Sequence, residues 1–537
     1  MNKEEFAQKA APFFIFLVLA IIFQFSTVRI LDTDSFYHIK HSWVYLQEGI
    51  FQSDFPWTQY SMVNALSSDI WYGFHILSIP FAAMGDLLDG MKFGGIFVTF
   101  AALSLVYLAI ERLNIRWPFL WVLLFYFASA DLLYRLNMFR PHPISLGLTL
   151  LIFAYLVGEN SRKSQWIVFG SSLAFSWIHL SLSWVPIFIA LVITGVRFLQ
   201  KENLELSRLM AMGVGLAAGL FLRPNPVGAG GLAYVQVVKF FLEKQNDIPL
   251  RFGRELTPFV WENFIDQLWP IAMLLLVALV YMGWLLLKND RWTLPVAHRT
   301  AIWTSLIIWA AFAVLTFTVA RRSNEIFVAF GVLFIGLLFT HYQNIANEIR
   351  QISAAAWQNS VVVIVAIILL CYMPIKTLYR YDTYIDNAFA PAAFQDSMTW
   401  LKLNAKPREI VFNIHWDRFA QFFFWNENNY YINGMDPIFG YSFDPALHWK
   451  NHFLAIDKAT DRTCGEIRCT EEMTESTYDV LTKDFKASYI VVEKRRNPRL
   501  HDYLETAQGF EKAFDNVSET IYKIVPITKK VEAKPKV

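Results

Sequence analysis

The chain has 537 residues, of which 55% are hydrophobic, 17% aromatic and only 17% charged, with a mean hydropathy of +0.35. Soluble proteins carry roughly a quarter charged residues, so a soluble multidomain enzyme is excluded and the lipid bilayer is the main solvent. A net charge of +2, from 47 Lys plus Arg against 45 Asp plus Glu, gives no electrostatic case for a nucleic-acid partner.

The first apolar run, Ala11 to Ile30, has full spanning length and no clear small-residue cleavage site, so it reads as an anchor and not a removable signal. Ile70 to Met84 is interrupted by Gly73, His75 and Pro80 and reads as an interfacial helix. Further spans are predicted over Phe93 to Ile110, Phe119 to Ala130, Ile144 to Val157, Trp166 to Leu180, Trp184 to Phe198, Leu209 to Leu222, Leu268 to Leu287, Ala301 to Ala320, Phe327 to His341 and Val361 to Leu378. The fold class expected is a polytopic α-helical membrane protein of about eleven spans with a C-terminal soluble α/β domain. The expected division is 1–380 for the membrane domain, 381–526 for the soluble domain and 527–537 for a disordered tail rich in Lys and Pro.

With the N-terminus cytoplasmic, the inside loops hold Arg112, Arg116, Arg162, Lys163, Arg197, Lys201, Arg208, Lys288, Arg291, Arg299 and Arg350. The short outside turns hold only Arg135, Arg140, Arg321 and Arg322. The positive-inside rule favours this orientation. It puts the soluble domain outside the cytoplasm, and in a Gram-negative bacterium the chain sits in the inner membrane with a periplasmic domain. In that oxidising compartment Cys464 and Cys469, five apart, can close a small disulfide loop, while Cys371 lies in the last apolar run.

Directly after the first span comes Leu31-Asp32-Thr33-Asp34-Ser35-Phe36-Tyr37-His38, followed by a helical pattern to Gly49. Two carboxylates at the membrane surface can act on a lipid-linked group as a general base or as ligands of a divalent cation. Asp34 or Ser35 can equally cap the following helix. Further outside turns carry Asp131 and Arg135, then Arg140-Pro141-His142-Pro143, then Asn225-Pro226-Val227-Gly228, then Glu255, and finally Arg321-Arg322. Guanidinium forks suit phosphate oxygens, although each charge taken alone, Arg135 above all, also reads as an interfacial anchor. His142 and His179 read more simply as satisfied interior histidines.

This order of motifs resembles the GT-C superfamily of integral-membrane glycosyltransferases, which includes the catalytic subunit of oligosaccharyltransferase, protein O-mannosyltransferases and lipid A aminoarabinose transferases. The resemblance implies transfer of a sugar from a polyprenyl-phosphate or polyprenyl-diphosphate donor to an extracytoplasmic protein, lipid or glycan. It makes Asp34, with Asp32 as the alternative, the candidate catalytic carboxylate, followed by Asp131 and Glu255, and assigns Arg321 and Arg322 to the donor phosphate. By the oligosaccharyltransferase pattern Asp34, Asp131 and Glu255 would hold a divalent cation, Mg or Mn, yet the second loop has one Asp where that branch has Asp-x-Asp. His38, Arg140 and His142 are candidate substrate contacts.

In the soluble domain a strand over Arg408 to Ile414 runs into His415-Trp416-Asp417, similar to the Trp-Trp-Asp acceptor motif of oligosaccharyltransferases. The aromatic run Phe422 to Trp425 either packs the domain or stacks on a sugar. Strands over Ser488 to Glu493 and Glu519 to Val525, and a helix over Pro391 to Asn404, complete an α/β pattern. A flippase or transporter of a lipid-linked substrate is the competing class. It calls for ionisable groups at mid-membrane and duplicated halves, whereas the acidic groups here fall in loops.

Overall fold

The computed structural model describes residues 3–246, 248–287, 294–349 and 356–527. The tail Lys529 to Val537 and the loop cations Lys288, Arg291 and Arg350 lie outside the described residues. The chain is a polytopic helical membrane protein with an α/β domain. Among the described residues six helices are long and apolar enough to cross a membrane, or up to eight if each of two bent pairs is one span.

Fewer helices than the expected eleven have that length and apolarity among the described residues, and the difference lies in helix length and bending. Phe119 to Ala130 is the nine-residue helix Pro118–Tyr126, about 14 Å long at 1.5 Å per residue, and the chain bends by 100° into Ala130–Leu136. Leu206–Phe221 likewise bends by 108° into Pro226–Gln245. The interrupted stretch after Ile70 forms an 11-residue helix, Tyr72–Ala82, too short to span. The last expected span falls in helix Ala356–Asp386, whose side chains up to Leu370 lie outside the described residues.

The chain folds as two compact units, which divide it differently from a single cut at residue 380. The first comprises Met1–Phe51, Ile70–Pro226 and Phe252–Pro391; the second comprises Gln52–Asp69, Val227–Arg251 and Ala392–Val537. In the first unit, helices Arg162–Ile178 and Leu206–Phe221 pack backbone to backbone through Gly215 and Gly219. A Cβ at either glycine would stand 2.4 Å from the carbonyl oxygen of Phe169 or Leu173. This is the spacing of small residues that lets apolar helices approach closely where lipid supplies no hydrophobic drive.

The second unit is built on a five-stranded sheet in the order β2-β1-β5-β7-β6. Its strands are β1 (Ile410–Asn413), β2 (Tyr430–Tyr431), β5 (Ala487–Glu493), β6 (Phe510–Asp515) and β7 (Glu519–Ile524), while β3 (Arg462–Thr463) and β4 (Glu475–Ser476) form a separate pair. β1 runs parallel to both neighbours, and β7 is antiparallel to β5 and β6. The edge at β2 is covered by residues 57–60: Tyr431 N–H donates to the Trp57 carbonyl, and Gln59 and Tyr60 N–H donate to Tyr431 and Ile432, each at 2.8 Å. An open strand edge is thereby paired by a segment some 370 residues away in sequence.

The aromatic run is core. Phe422, Phe423 and Phe424 are buried, with Phe423 stacked on Phe419 at 5.6 Å and packed on Trp57 at 4.9 Å. Cys464 and Cys469 are disulfide-bonded.

Candidate active site

The loop carrying Asp32 and Asp34 is fixed from several sides. Lys92 donates to the carbonyls of Gln24 at 3.1 Å and of Thr27 and Arg29 at 2.8 Å, placing a cation at the C-terminal end of helix Lys3–Phe25 where the helix dipole favours one. Ile30 exchanges two backbone hydrogen bonds of 2.9 Å with Phe389, and Tyr134 donates to the Leu31 carbonyl. Helix Asp34–Glu48 then starts behind Thr33, which makes no side-chain cap bond. Neither capping reading holds: the Asp34 carboxylate accepts from Arg140, and Ser35 Oγ lies 3.4 Å from the Phe139 carbonyl.

Arginines at the site pair with carboxylates from distant parts of the chain. Arg140 pairs with Asp34 and stands 3.5 Å from Asp32. Arg135 pairs with Glu325. Arg321 pairs with Asp131 at 2.8 Å, donates to Tyr384 Oη at 2.9 Å and lies over the Phe259 ring at 4.8 Å. The Glu255 loop is stitched beside the paired arginines by Arg321 N–H donating to the Thr257 carbonyl at 2.7 Å, and Arg140, Arg135 and Arg322 all act electrostatically on Glu255. Arg135 is 6% exposed, which overturns the anchoring reading. Stripping a partner from a buried pair costs about 3–5 kcal/mol, so Glu325 is what keeps this charge inside.

Arg322 is different. Among the described residues its guanidinium makes no hydrogen bond or ion pair. Two residues on, Asn324 is buried with both amide atoms unpartnered; His142 is buried with both ring nitrogens unpartnered, and Arg135 Nη2 is unpartnered too. Arg135, Arg140 and Arg322 are all close enough to act on His142. His142 is therefore not a satisfied interior histidine, whereas His179 Nδ1 does meet Ser145 Oγ at 3.0 Å.

A buried polar group left unpaired costs about 1–3 kcal/mol, and a cluster of them calls for an explanation. Guanidinium groups gathered about an imidazole, with the Asn324 amide two residues from Arg322 in the chain, suit a ligand rich in acceptor oxygens, above all a phosphate.

The acids are tuned apart. Burial pushes Asp32 up to about 7, against the pull of Arg140 and with further push from Asp34 and Glu255. Burial also raises Asp34, opposed by Arg140 and supported by Glu255. Glu255 is pushed up by burial but drawn below the usual carboxylate range by Arg140 and Arg135. One arginine shared by two aspartates, with a third carboxylate nearby, leaves the aspartates under-compensated. A carboxyl raised in this way moves toward the range where general bases work best.

The expected cation site does not fit these residues. Asp34 and Asp131 are committed to different arginines, and with Glu255 they do not bring three ligand oxygens within 4.8 Å of one another. His38 is buried with Nδ1 sharing a 2.8 Å hydrogen bond with His75. His415, Trp416 and Asp417 belong to the second unit. There His415 Nε2 meets Asn497 at 2.7 Å, Trp416 donates to the Arg251 carbonyl at 3.2 Å and Asp417 pairs with Arg496 at 3.2 Å. Glu325, Asn324 and Tyr384 are site residues that sequence reasoning missed. The first two stand in the same turn as the arginine pair, but Tyr384 follows a long apolar run and carries no local signal.

No protein-family model matches the chain, and no curated protein matches it. Its fold does match solved structures. The crystal structures of ArnT from Cupriavidus metallidurans, in the apo state and bound to undecaprenyl phosphate, superpose with TM-scores of 0.54 and 0.52. Each comparison covers 96% of this chain and 98% of the other at 11% identity. The fold expected from the order of the motifs is thus the fold found.

Proposed function

We propose that the chain is a membrane glycosyltransferase that moves a sugar from a polyprenyl-linked phosphate donor to an acceptor hydroxyl or amine outside the cytoplasm. The observation that carries the reading is the group of unpartnered donors around Arg322, His142 and Asn324 beside the Asp32–Asp34 pair. The solved relative in fold that binds undecaprenyl phosphate supports the lipid class.

In this reading Arg322 holds the donor phosphate, and Asp34, the more accessible aspartate with 29% of its side chain exposed against 12% for Asp32, takes the acceptor's proton. The acceptor atom bonds to the anomeric carbon as the bond from that carbon to the phosphate oxygen breaks, and polyprenyl phosphate leaves. Arg322 stabilises the charge that develops on the departing phosphate. Arg140 orients Asp34, while Arg321, Asp131 and Tyr384 form a fixed wall. The disulfide at Cys464 supports an extracytoplasmic second unit.

The base must be deprotonated to act, so kcat/KM falls as pH drops through the raised pKa of the aspartate pair, above the ordinary carboxylate range. Glu255 pushes both aspartates up. Glu255→Gln therefore moves the acid limb of the pH–rate profile to lower pH, measured as initial rates of transfer across a pH series. A limb that stays in place in this variant removes the aspartate pair from the chemistry.

A further inference from the structure

We propose that in this chain the guanidinium groups of Arg140 and Arg321 occupy the role that a divalent cation would take between the acidic loops, so that sugar transfer needs no metal. The inference rests on the transferase reading above and concerns the same site.

A divalent cation draws its oxygen ligands to one point at about 2.0–2.6 Å. Here the aspartates of the two acidic loops are drawn to separate points. Asp34 ends on Arg140, with Asp32 at 3.5 Å from the same guanidinium, and Asp131 ends on Arg321 at 2.8 Å. Arg321 cannot easily yield its place, because Tyr384 accepts from it at 2.9 Å and is itself met by Gln267 at 3.3 Å, while Phe259 covers its face at 4.8 Å.

Among the described residues no arginine pairs with Glu255, yet Arg140, Arg135 and Arg322 all act on it. A cation drawn to Glu255 would enter the field of three guanidinium groups, and like charges repel strongly where water is excluded. The guanidinium fork supplies the two services the ion would give, fixing the carboxylates and holding positive charge beside the phosphate. It does so as part of the fold and without a binding equilibrium.

The test uses the full-length protein in lipid nanodiscs, stripped with EDTA and shown metal-free by mass spectrometry. Transfer from a polyprenyl phosphate-linked sugar is measured with and without added Mn or Mg, and Mn binding is followed separately by electron paramagnetic resonance. The expected result is a rate that changes by no more than about twofold and no tight Mn site that depends on Asp34, Asp131 or Glu255, since loss of a working Lewis acid would cost far more. A loss of about tenfold or more that Mn restores, or a tight Mn site lost in Asp34→Asn, overturns the inference. If no donor is used under any condition the transferase reading fails, and the Mn titration still decides whether the arginines exclude the metal.

Discussion

Asp34→Asn lowers sugar transfer by about 100-fold to 10,000-fold, the loss typical of a missing general base, while the protein stays folded. The substitution keeps the side chain's size and leaves an amide oxygen for Arg140 to approach, but removes the lone-pair basicity that takes the acceptor proton. Folding is expected to survive because the loop is held by contacts that do not involve Asp34: Lys92 on three carbonyls, the Ile30–Phe389 backbone pair and Tyr134 on Leu31. Initial rates at saturating acceptor, with thermal unfolding in detergent as the control, check it. A well-folded variant that transfers at the normal rate moves the base to Asp32 or removes it from this loop.

Arg322→Ala lowers kcat/KM by about 100-fold to 1,000-fold, the range seen when a donor aimed at a developing anion is removed. The two adjacent arginines look equivalent in sequence but differ in commitment. Arg321 is spent on Asp131 and Tyr384, whereas Arg322 makes no hydrogen bond or ion pair among the described residues. Arg322→Lys keeps the charge and loses the planar fork, so it recovers part of the rate. If the contact is equal in ground and transition states the loss appears in KM; if it strengthens as the phosphate departs it appears in kcat. Kinetics at limiting donor for both arginines decide it, and Arg321 variants with a greater loss than Arg322 variants would reverse the assignment.

Much of this site could be read from the chain because its residues sit at the ends of apolar runs, where a charge stands out. Asp32, Asp34, Asp131, Arg140, Glu255 and the arginine pair were each visible in that way, and the structure brings them into one unit. The pairing was not visible, since nothing local tells that Arg135 belongs to Glu325, 190 residues away. For the same reason the chain alone leaves His142 open between an interior histidine and a substrate contact: whether a buried imidazole is satisfied depends on neighbours from other helices.

The fold shows the same limit. Strands β1, β5 and β7 follow their apolar patterns to within a few residues, but the two-residue β2 has too little pattern to see. The edge segment 57–60 was counted with the membrane domain because it lies between helices of that domain in sequence. Span boundaries differ most where helices are short or bent, since hydropathy records apolar length and not direction.

In the proposed reaction a polyprenyl phosphate presents its head to the unpartnered donors around Arg322. The most direct measurement is a cryo-EM structure of the protein in nanodiscs with undecaprenyl phosphate. The expected result is phosphate density within hydrogen-bond distance of the Arg322 guanidinium, with Asn324 or His142 completing the contacts. A lipid phosphate bound elsewhere, with Arg322 left unpaired, would contradict it.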